Sequence, residues 1–344
     1  MNVDFFKMDD LLTVEQRLIS STIRNFTNTE IKPIIDSFAQ KAEFPNHLVK
    51  RFGELGILGC NIPSEYGGGD MDYLSYGLIC MEIDRGDSGL RSVVSVQNSL
   101  VMWPIYKFGS EAQKLKYLPK LANGEMLGCF GLTEPDVGSN PSAMKSILTK
   151  HEGGYLLNGS KMWISNAPFA DIAIVWARMR EGGVQGVIVE RGMEGFSTPE
   201  IHNKWSLRAS STGELVFNQV FIPEANVMTG AIGMSAPLQC LDKARFGISW
   251  GAVGVAMDCY ETALKYSKER MQFEKPIASF QLTQKKLAEM LTEITKAQLL
   301  AWRLAILMNE GVATSSQISL AKRNNVQMAL SVAREARQIL GAMG

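Results

Sequence analysis

The hydrophobic periodicity of this chain changes twice, near Gly128 and again after Pro237. Before Gly128, apolar residues recur at helical spacing. Thr13-Val14-Glu15-Gln16 has the spacing of a capping box ahead of an amphipathic run. Pro45 suits the first turn of a helix that includes Leu48, Phe52 and Leu55, with Gly56 as its C′ residue. Tyr73 to Ile83, Ser92 to Phe108 and Glu111 to Leu121 continue the helical pattern. Between the two changes the texture is short and β-rich: Ile172 to Trp176, Val184 to Val189, Leu215 to Phe217 and Val220 to Ile222. Gly153-Gly154, Asn158-Gly159 and Gly192 read as punctuation between these runs. After Pro237, Leu241 to Met271, Leu282 to Glu310 and Ser316 to Leu340 have few breakers, and helices of that length pack as a bundle. The chain is therefore expected to be α+β and multidomain. A helical domain spans 1–127, a small β-barrel or sandwich 128–230, and a helical bundle 231–344.

The 344 residues can bury a large core. Lys+Arg and Asp+Glu both count 35, and a neutral chain lacks the basic excess that a nucleic-acid partner requires. The five cysteines form no CxxC, and none has a His at metal-ligand spacing, so reduced buried thiols are expected and a metal site is not. Met1 to Asp10 carries acids and no apolar or Arg-rich targeting pattern, which points to the cytoplasm or a mature mitochondrial form. The most apolar run, Phe246 to Tyr260, is short for a bilayer and contains Asp258. A buried bundle helix is expected there, with no membrane insertion.

Two segments carry candidate chemistry. Cys129-Phe130-Gly131-Leu132-Thr133-Glu134-Pro135-Asp136-Val137-Gly138-Ser139-Asn140 is an apolar approach followed by a hydroxyl, a Pro turn and a Gly-Ser pair. Such a turn can offer N–H groups and hydroxyls to an anion or a polar ring edge. Trp163-Ile164-Ser165-Asn166 puts a large aromatic beside a hydroxyl and an amide. Together they could hold a planar, phosphate-bearing cofactor. By residue type alone, a Gly/Pro/Ser turn is more often only a turn.

FGLTEPDVGSN and WISN resemble the two flavin-contacting segments of the acyl-CoA dehydrogenase family, usually written TEP-x-x-GS-D and W-I-T-N. The resemblance extends over nearly the whole chain. It takes in Pro63-Ser64-Glu65-Tyr66-Gly67-Gly68, Arg270-Met271-Gln272-Phe273 with Gln281, and Gln338-Ile339-Leu340-Gly341-Ala342-Met343-Gly344. It implies that family's fold, helical then β then helical bundle. It also implies an FAD enzyme that removes two hydrogens across Cα–Cβ of an acyl-CoA thioester. The residues it places at the cofactor are Phe130, Leu132, Thr133, Gly138, Ser139, Trp163, Ile164 and Ser165. Thr133 and Ser165 supply hydroxyls to the flavin ring, and Ser165 stands where Thr is usual. Arg270, Phe273 and Gln281 match residues that reach the FAD of a neighbouring subunit. Gln338, Ile339, Leu340, Gly341 and Ala342 match the adenine-side loop, with Ala342 in place of a usual Gly. A homotetramer is thereby implied.

The substrate side is implied in the same way. Leu241, Ala244, Arg245 and Ser139 match positions near the acyl-CoA. In some branches of the family a catalytic Glu precedes the Arg; here that residue is Ala244, which cannot take a proton. In most others the Glu belongs to a segment like Y-E-G-T beyond the Gln338–Gly344 loop. No catalytic base is therefore expected within these 344 residues, and the bundle is expected to be truncated. Asp87-Ser88-Gly89-Leu90-Arg91-Ser92, Lys204-Trp205-Ser206-Leu207-Arg208-Ala209-Ser210 and Lys322-Arg323-Asn324-Asn325 are similar to the glutaryl-CoA dehydrogenase branch. That branch implies that Arg91, with Ser92, binds the far carboxylate of glutaryl-CoA. Crotonyl-CoA would form after decarboxylation, and an electron-transfer flavoprotein would be the acceptor. A planar guanidinium suits a carboxylate. A salt bridge from Arg91 to Asp84 or Asp87 is the structural alternative. A short-chain or branched acyl-CoA dehydrogenase, or a base-less scaffold that binds flavin or acyl-CoA, are the functional ones.

Overall fold

The computed structural model describes residues 3–344. The first helices are α1 (Val14–Phe26), α2 (Lys32–Lys41), α3 (His47–Glu54) and α4 (Tyr73–Asp84). They are followed by α5 (Ser88–Ser95), α6 (Trp103–Phe108) and α7 (Glu111–Ala122). The Thr13 capping box forms as expected, with Gln16 N donating to Thr13 Oγ1 at 3.2 Å and Thr13 N to Gln16 Oε1 at 3.0 Å. A second box at Ser110 and Gln113 starts α7. Pro45 lies just ahead of α3 rather than inside its first turn, and Gly56 takes the left-handed conformation with φ 66°. The helical run expected from Ser92 begins earlier, at Ser88. It widens into a π-helix over Val96–Met102 before α6. Pro104 explains the widening, because a proline offers no N–H to the preceding turn.

The sheet strands are β1 (Gly128–Gly131), β2 (Ile147–His151), β3 (Gly154–Ser165), β4 (Ile172–Met179), β5 (Val184–Glu190), β6 (Phe196–Ser197), β7 (Thr212–Pro223) and β8 (Val227–Ile232). Their order is β6-β7-β3-β2-β4-β5-β8, with β1 running parallel to β4. Asn158-Gly159 is not a turn as expected. It lies inside the long strand β3, where the register with β7 shifts. The runs 215–217 and 220–222 likewise belong to the single strand β7. Alternation along β4 sends Ile172, Ile174 and Trp176 into a core shared with Val101, Ile105 and Leu118. Ala173, Val175 and Ala177 enter a second core with Leu157, Leu215, Phe217 and Val220. A sheet that buries β4 and β5 against β3 and β7 is the sandwich-like arrangement the sequence implied.

After the sheet come α8 (Ser235–Glu269), the two-stranded β9 (Met271–Gln272) and β10 (Lys275–Pro276), α9 (Gln281–Asn309) and α10 (Ser315–Leu340). The chain resolves into two compact units, each assembled from separate stretches of sequence. One contains residues 1–33, 72–91 and 245–344; the other contains 34–71 and 92–244. In the first, Asn325 is fully buried and its Nδ2 donates to Ser249 O at 2.9 Å and Ala297 O at 3.2 Å, tying α10 to α8 and α9. Glu82, also fully buried, is held by Arg24 of α1 at 2.7 Å. All five cysteines are free, and four are buried. Among the described residues, no helix is long and apolar enough to cross a membrane.

Candidate active site

The turn after β1 is closed by reciprocal backbone bonds, Glu134 N to Val137 O at 3.0 Å and Val137 N to Glu134 O at 3.1 Å. Thr133 is partly exposed between two buried neighbours, Leu132 and Glu134. Its carbonyl accepts from Met162 N at 2.9 Å, which fixes the turn against β3. Gly138 and Ser139 are exposed, and a Cβ at Gly138 would meet nothing within 4 Å, so a ligand can approach the backbone there.

On β3 the ladder to β7 breaks between Lys161 and Ile164. Trp163 sits in that break with φ 62°, a left-handed conformation that costs an indole-bearing residue about 1–2 kcal/mol. Its side chain is 58% exposed. Strain of this kind, combined with exposure of a large aromatic, makes Trp163 a candidate ligand contact. Ile164 and Asn166 alternate inward: Ile164 joins the second core, and Asn166 Nδ2 donates to Gly128 O at 3.1 Å. Trp163 and Ser165 are left facing outward. Phe130 and Leu132 also send their side chains into a core, so only their backbone could serve a cofactor.

Two groups that the sequence reading missed hold this framework. Lys161 is fully buried, and its ammonium donates to Glu134 Oε1 at 2.8 Å and to Leu132 O at 3.3 Å. Glu134 also accepts from Lys145 N at 2.6 Å and Ser146 N at 2.9 Å. Burial opposes both charges. At Glu134 it is outweighed by Lys161 and by the Lys145 and Ser146 donors, which keep the carboxyl ionised below its ordinary range. At Lys161 burial prevails over Glu134 and lowers the ammonium. The signal in the sequence was a lysine two residues ahead of Trp163 and a carboxylate directly after Thr133.

The other expected cofactor residues lie in the first unit. Phe273 is 86% exposed at the tip of the β9–β10 hairpin. Phe273 and Glu274 have φ 50° and 62°, the two left-handed positions that a type I′ turn normally gives to Asn-Gly. Arg270 and Gln281 are exposed nearby in sequence, as are Gln338, Gly341 and Ala342, while Ile339 is buried. Gly341 takes φ 61° and ψ −128° directly after α10, a conformation open only to glycine.

On the substrate side, Arg91 Nε donates to Asp84 Oδ2 at 2.8 Å, and Ser88 Oγ donates to Asp84 Oδ1 at 2.5 Å. Asp84 is thus the salt-bridge partner, and Asp87 instead accepts from Leu90 N at 2.9 Å to start α5. Arg91 is 12% exposed and Asp84 3%. The two Nη atoms of Arg91 make no hydrogen bond among the described residues. A Cβ at Gly251 would lie 2.0 Å from Asp84 Oδ2 and 3.1 Å from Arg91 Nε, so α8 reaches the ion pair only because that residue is glycine. In the second unit, Ala244 is buried and Leu241 half-buried on α8. The Lys243 ammonium lies 5.5 Å over the Trp103 ring. Ser92 is half-buried; Arg245 is half-buried at the start of the first unit's share of α8.

Comparison with known proteins decides the family. The acyl-CoA dehydrogenase N-terminal, middle and C-terminal domain families match residues 13–125, 129–220 and 232–344. A glutaryl-CoA dehydrogenase of Desulfococcus multivorans is 38% identical over 98% of this chain and 89% of its own. The chain belongs to the acyl-CoA dehydrogenase family. The short-chain specific acyl-CoA dehydrogenase of Rattus norvegicus mitochondria is 34% identical over 95% of this chain and 81% of its own. A crystal structure of a glutaryl-CoA dehydrogenase from Mycobacterium smegmatis in complex with FADH2 superposes with a TM-score of 0.97 at 46% identity, covering 99% of this chain and 88% of that one. The three-domain acyl-CoA dehydrogenase fold and an enzyme of that kind are thereby established.

Proposed function

We propose that this acyl-CoA dehydrogenase uses FAD to dehydrogenate glutaryl-CoA at Cα–Cβ, with decarboxylation to crotonyl-CoA. The observation that carries the glutaryl reading is Arg91. It is nearly buried and anchored through Nε to Asp84, with both Nη donors left for a second carboxylate. An uncharged acyl tail laid over that donor edge would cover it without giving it a partner, which is costly. Thr133 and Ser165 present hydroxyls for the flavin ring, Trp163 an aromatic face, and Gly138 and Ser139 an open backbone for phosphate. When bound, FAD supplies the two-electron acceptor for the β-hydride. Arg91 and Ser92 hold the distal carboxylate, and Arg245 serves the CoA side. Ala244 carries no ionisable group, so the α-proton acceptor is not on α8 at that position.

Phe273 on its strained hairpin, with Arg270 and Gln281, serves the cofactor of a second subunit within a homotetramer, and the Gln338–Ala342 segment serves the adenine side of the cofactor. Electrons then leave to an electron-transfer flavoprotein. A short-chain substrate is the second reading. It is favoured by the Asp84 bond, which already balances the Arg91 charge, and by the short-chain relative.

The two readings separate in the holoenzyme. Arg91→Met should lower kcat/KM for glutaryl-CoA by about 2–5 kcal/mol more than for butyryl-CoA. The ratio of substrates cancels any damage to folding. Equal losses would rule out the glutaryl assignment.

A further inference from the structure

We infer that the buried Lys161–Glu134 pair is a positioning device that fixes the two flavin-facing segments against each other and so sets how tightly, and in what electronic environment, flavin is held. The inference rests on the FAD reading above. The pair brackets Thr133 from both sides. The Lys161 ammonium donates to Leu132 O and Glu134 Oε1, the residues immediately before and after it. The next amide, Met162 N, bonds Thr133 O itself. Trp163 and Ser165 follow directly on the same strand. Three bonds therefore tie residues 132–134 to residues 161–162.

They do so where the sheet cannot. β3 pairs with β2 only as far as Asn158, and its ladder to β7 is interrupted between Lys161 and Ile164. Met162 and Trp163 have no ladder partner on β7, although Lys161 before them and Ile164 and Ser165 after them do. The lysine stem fills the space beside Gly131, where a Cβ would lie 3.0 Å from Lys161 Cγ. Glu134 extends the link to the start of β2 through Lys145 N and Ser146 N.

Stability alone does not account for a fully buried ion pair. Desolvation offsets much of its attraction, and apolar residues of similar volume often serve as well. A fixed direction is what a charged, hydrogen-bonded pair adds to an apolar filling.

Two variants test this, Glu134→Gln and the neutral pair Glu134→Gln/Lys161→Met, each titrated with FAD as the apoprotein and followed by flavin absorption and circular dichroism. Folded variants that bind FAD about tenfold more weakly, as for the loss of one aligned hydrogen bond, with displaced flavin bands, support the inference. Unchanged affinity and bands with only a lower Tm overturn it and make the pair purely structural. Loss of the fold in both variants overturns it in the same way. A folded wild-type protein that fails to bind FAD overturns the cofactor reading itself, an outcome distinct from the other three.

Discussion

Thr133 and Trp163 stand on a framework closed from beneath by buried bonds, whereas Phe273 stands on a two-residue hairpin turn with 86% of its surface in solvent. Both regions store backbone strain, φ 62° at Trp163 and φ 50° at Phe273. Only the first is surrounded by structure that explains how the strain is held. The difference teaches that one half of the proposed cofactor site is preorganised within its own unit. The other half is a projection whose Phe273 ring stands edge-on to Phe280 at 6.1 Å and is otherwise open to solvent.

The comparison can be broken most easily at Trp163. Trp163→Gly removes the ring and keeps the backbone conformation. Relief of strain and the flexibility of glycine roughly cancel, so Tm should barely move. FAD affinity should fall by about 2 kcal/mol for the lost aromatic face, measured by fluorescence titration. A large drop in Tm with unchanged affinity would make Trp163 a structural residue.

The hairpin should answer with opposite signs. Replacing Phe273-Glu274 by Asn-Gly suits a type I′ turn and should stabilise the isolated protein by about 1 kcal/mol in urea unfolding. The same change should lower FAD retention in the assembled enzyme. If retention is unaffected, the hairpin takes no part in the cofactor site.

Thr133→Ala and Ser165→Ala should each weaken FAD binding by about 1 kcal/mol and together displace the flavin bands. Additive losses without a band shift would place the two hydroxyls away from the ring.

A further contrast concerns a second, half-buried cation. Lys243 lies over the Trp103 ring, and burial pushes it down to about 8. Between that value and its ordinary value of 10.5 the unfolded chain binds more protons, so this group's contribution to stability rises with pH across the window. Below about 8 the full cost of burying the charge is present. Lys243→Met should therefore be more stable than the parent at pH 7, with the gap closing by pH 10 in urea titrations. A gap independent of pH would contradict this assignment.

Much of the fold was legible because period and punctuation are local. The Thr13 box, the start of α4 and the three long C-terminal helices lie within a few residues of where the spacing put them. What failed was long-range. Gly159 looks like a turn in sequence and is a bulge inside β3, because pairing with β7 on one side overrides the local preference for a break. The compact units also join distant stretches: α1 and α4 group with α9 and α10, and α5 to α7 largely with the sheet. At the candidate site, motif resemblance singled out Thr133, Trp163 and Ser165. Their supports, Lys161, Glu134 and Asn166, depend on contacts across 27 to 38 positions that periodicity does not encode. Arg91 was legible as a candidate, but its bond to Asp84 through Nε alone was a matter of geometry.

The most direct test is a titration of FAD-loaded wild-type protein with glutaryl-CoA and with butyryl-CoA, reading the flavin absorption bands. An acyl-CoA site beside a flavin, with Arg91 at its far end, predicts that both thioesters perturb the bands and that glutaryl-CoA binds at least about tenfold tighter, the worth of one charge-assisted bond. Bands that respond to neither thioester, or equally to both at the same concentrations, would contradict it.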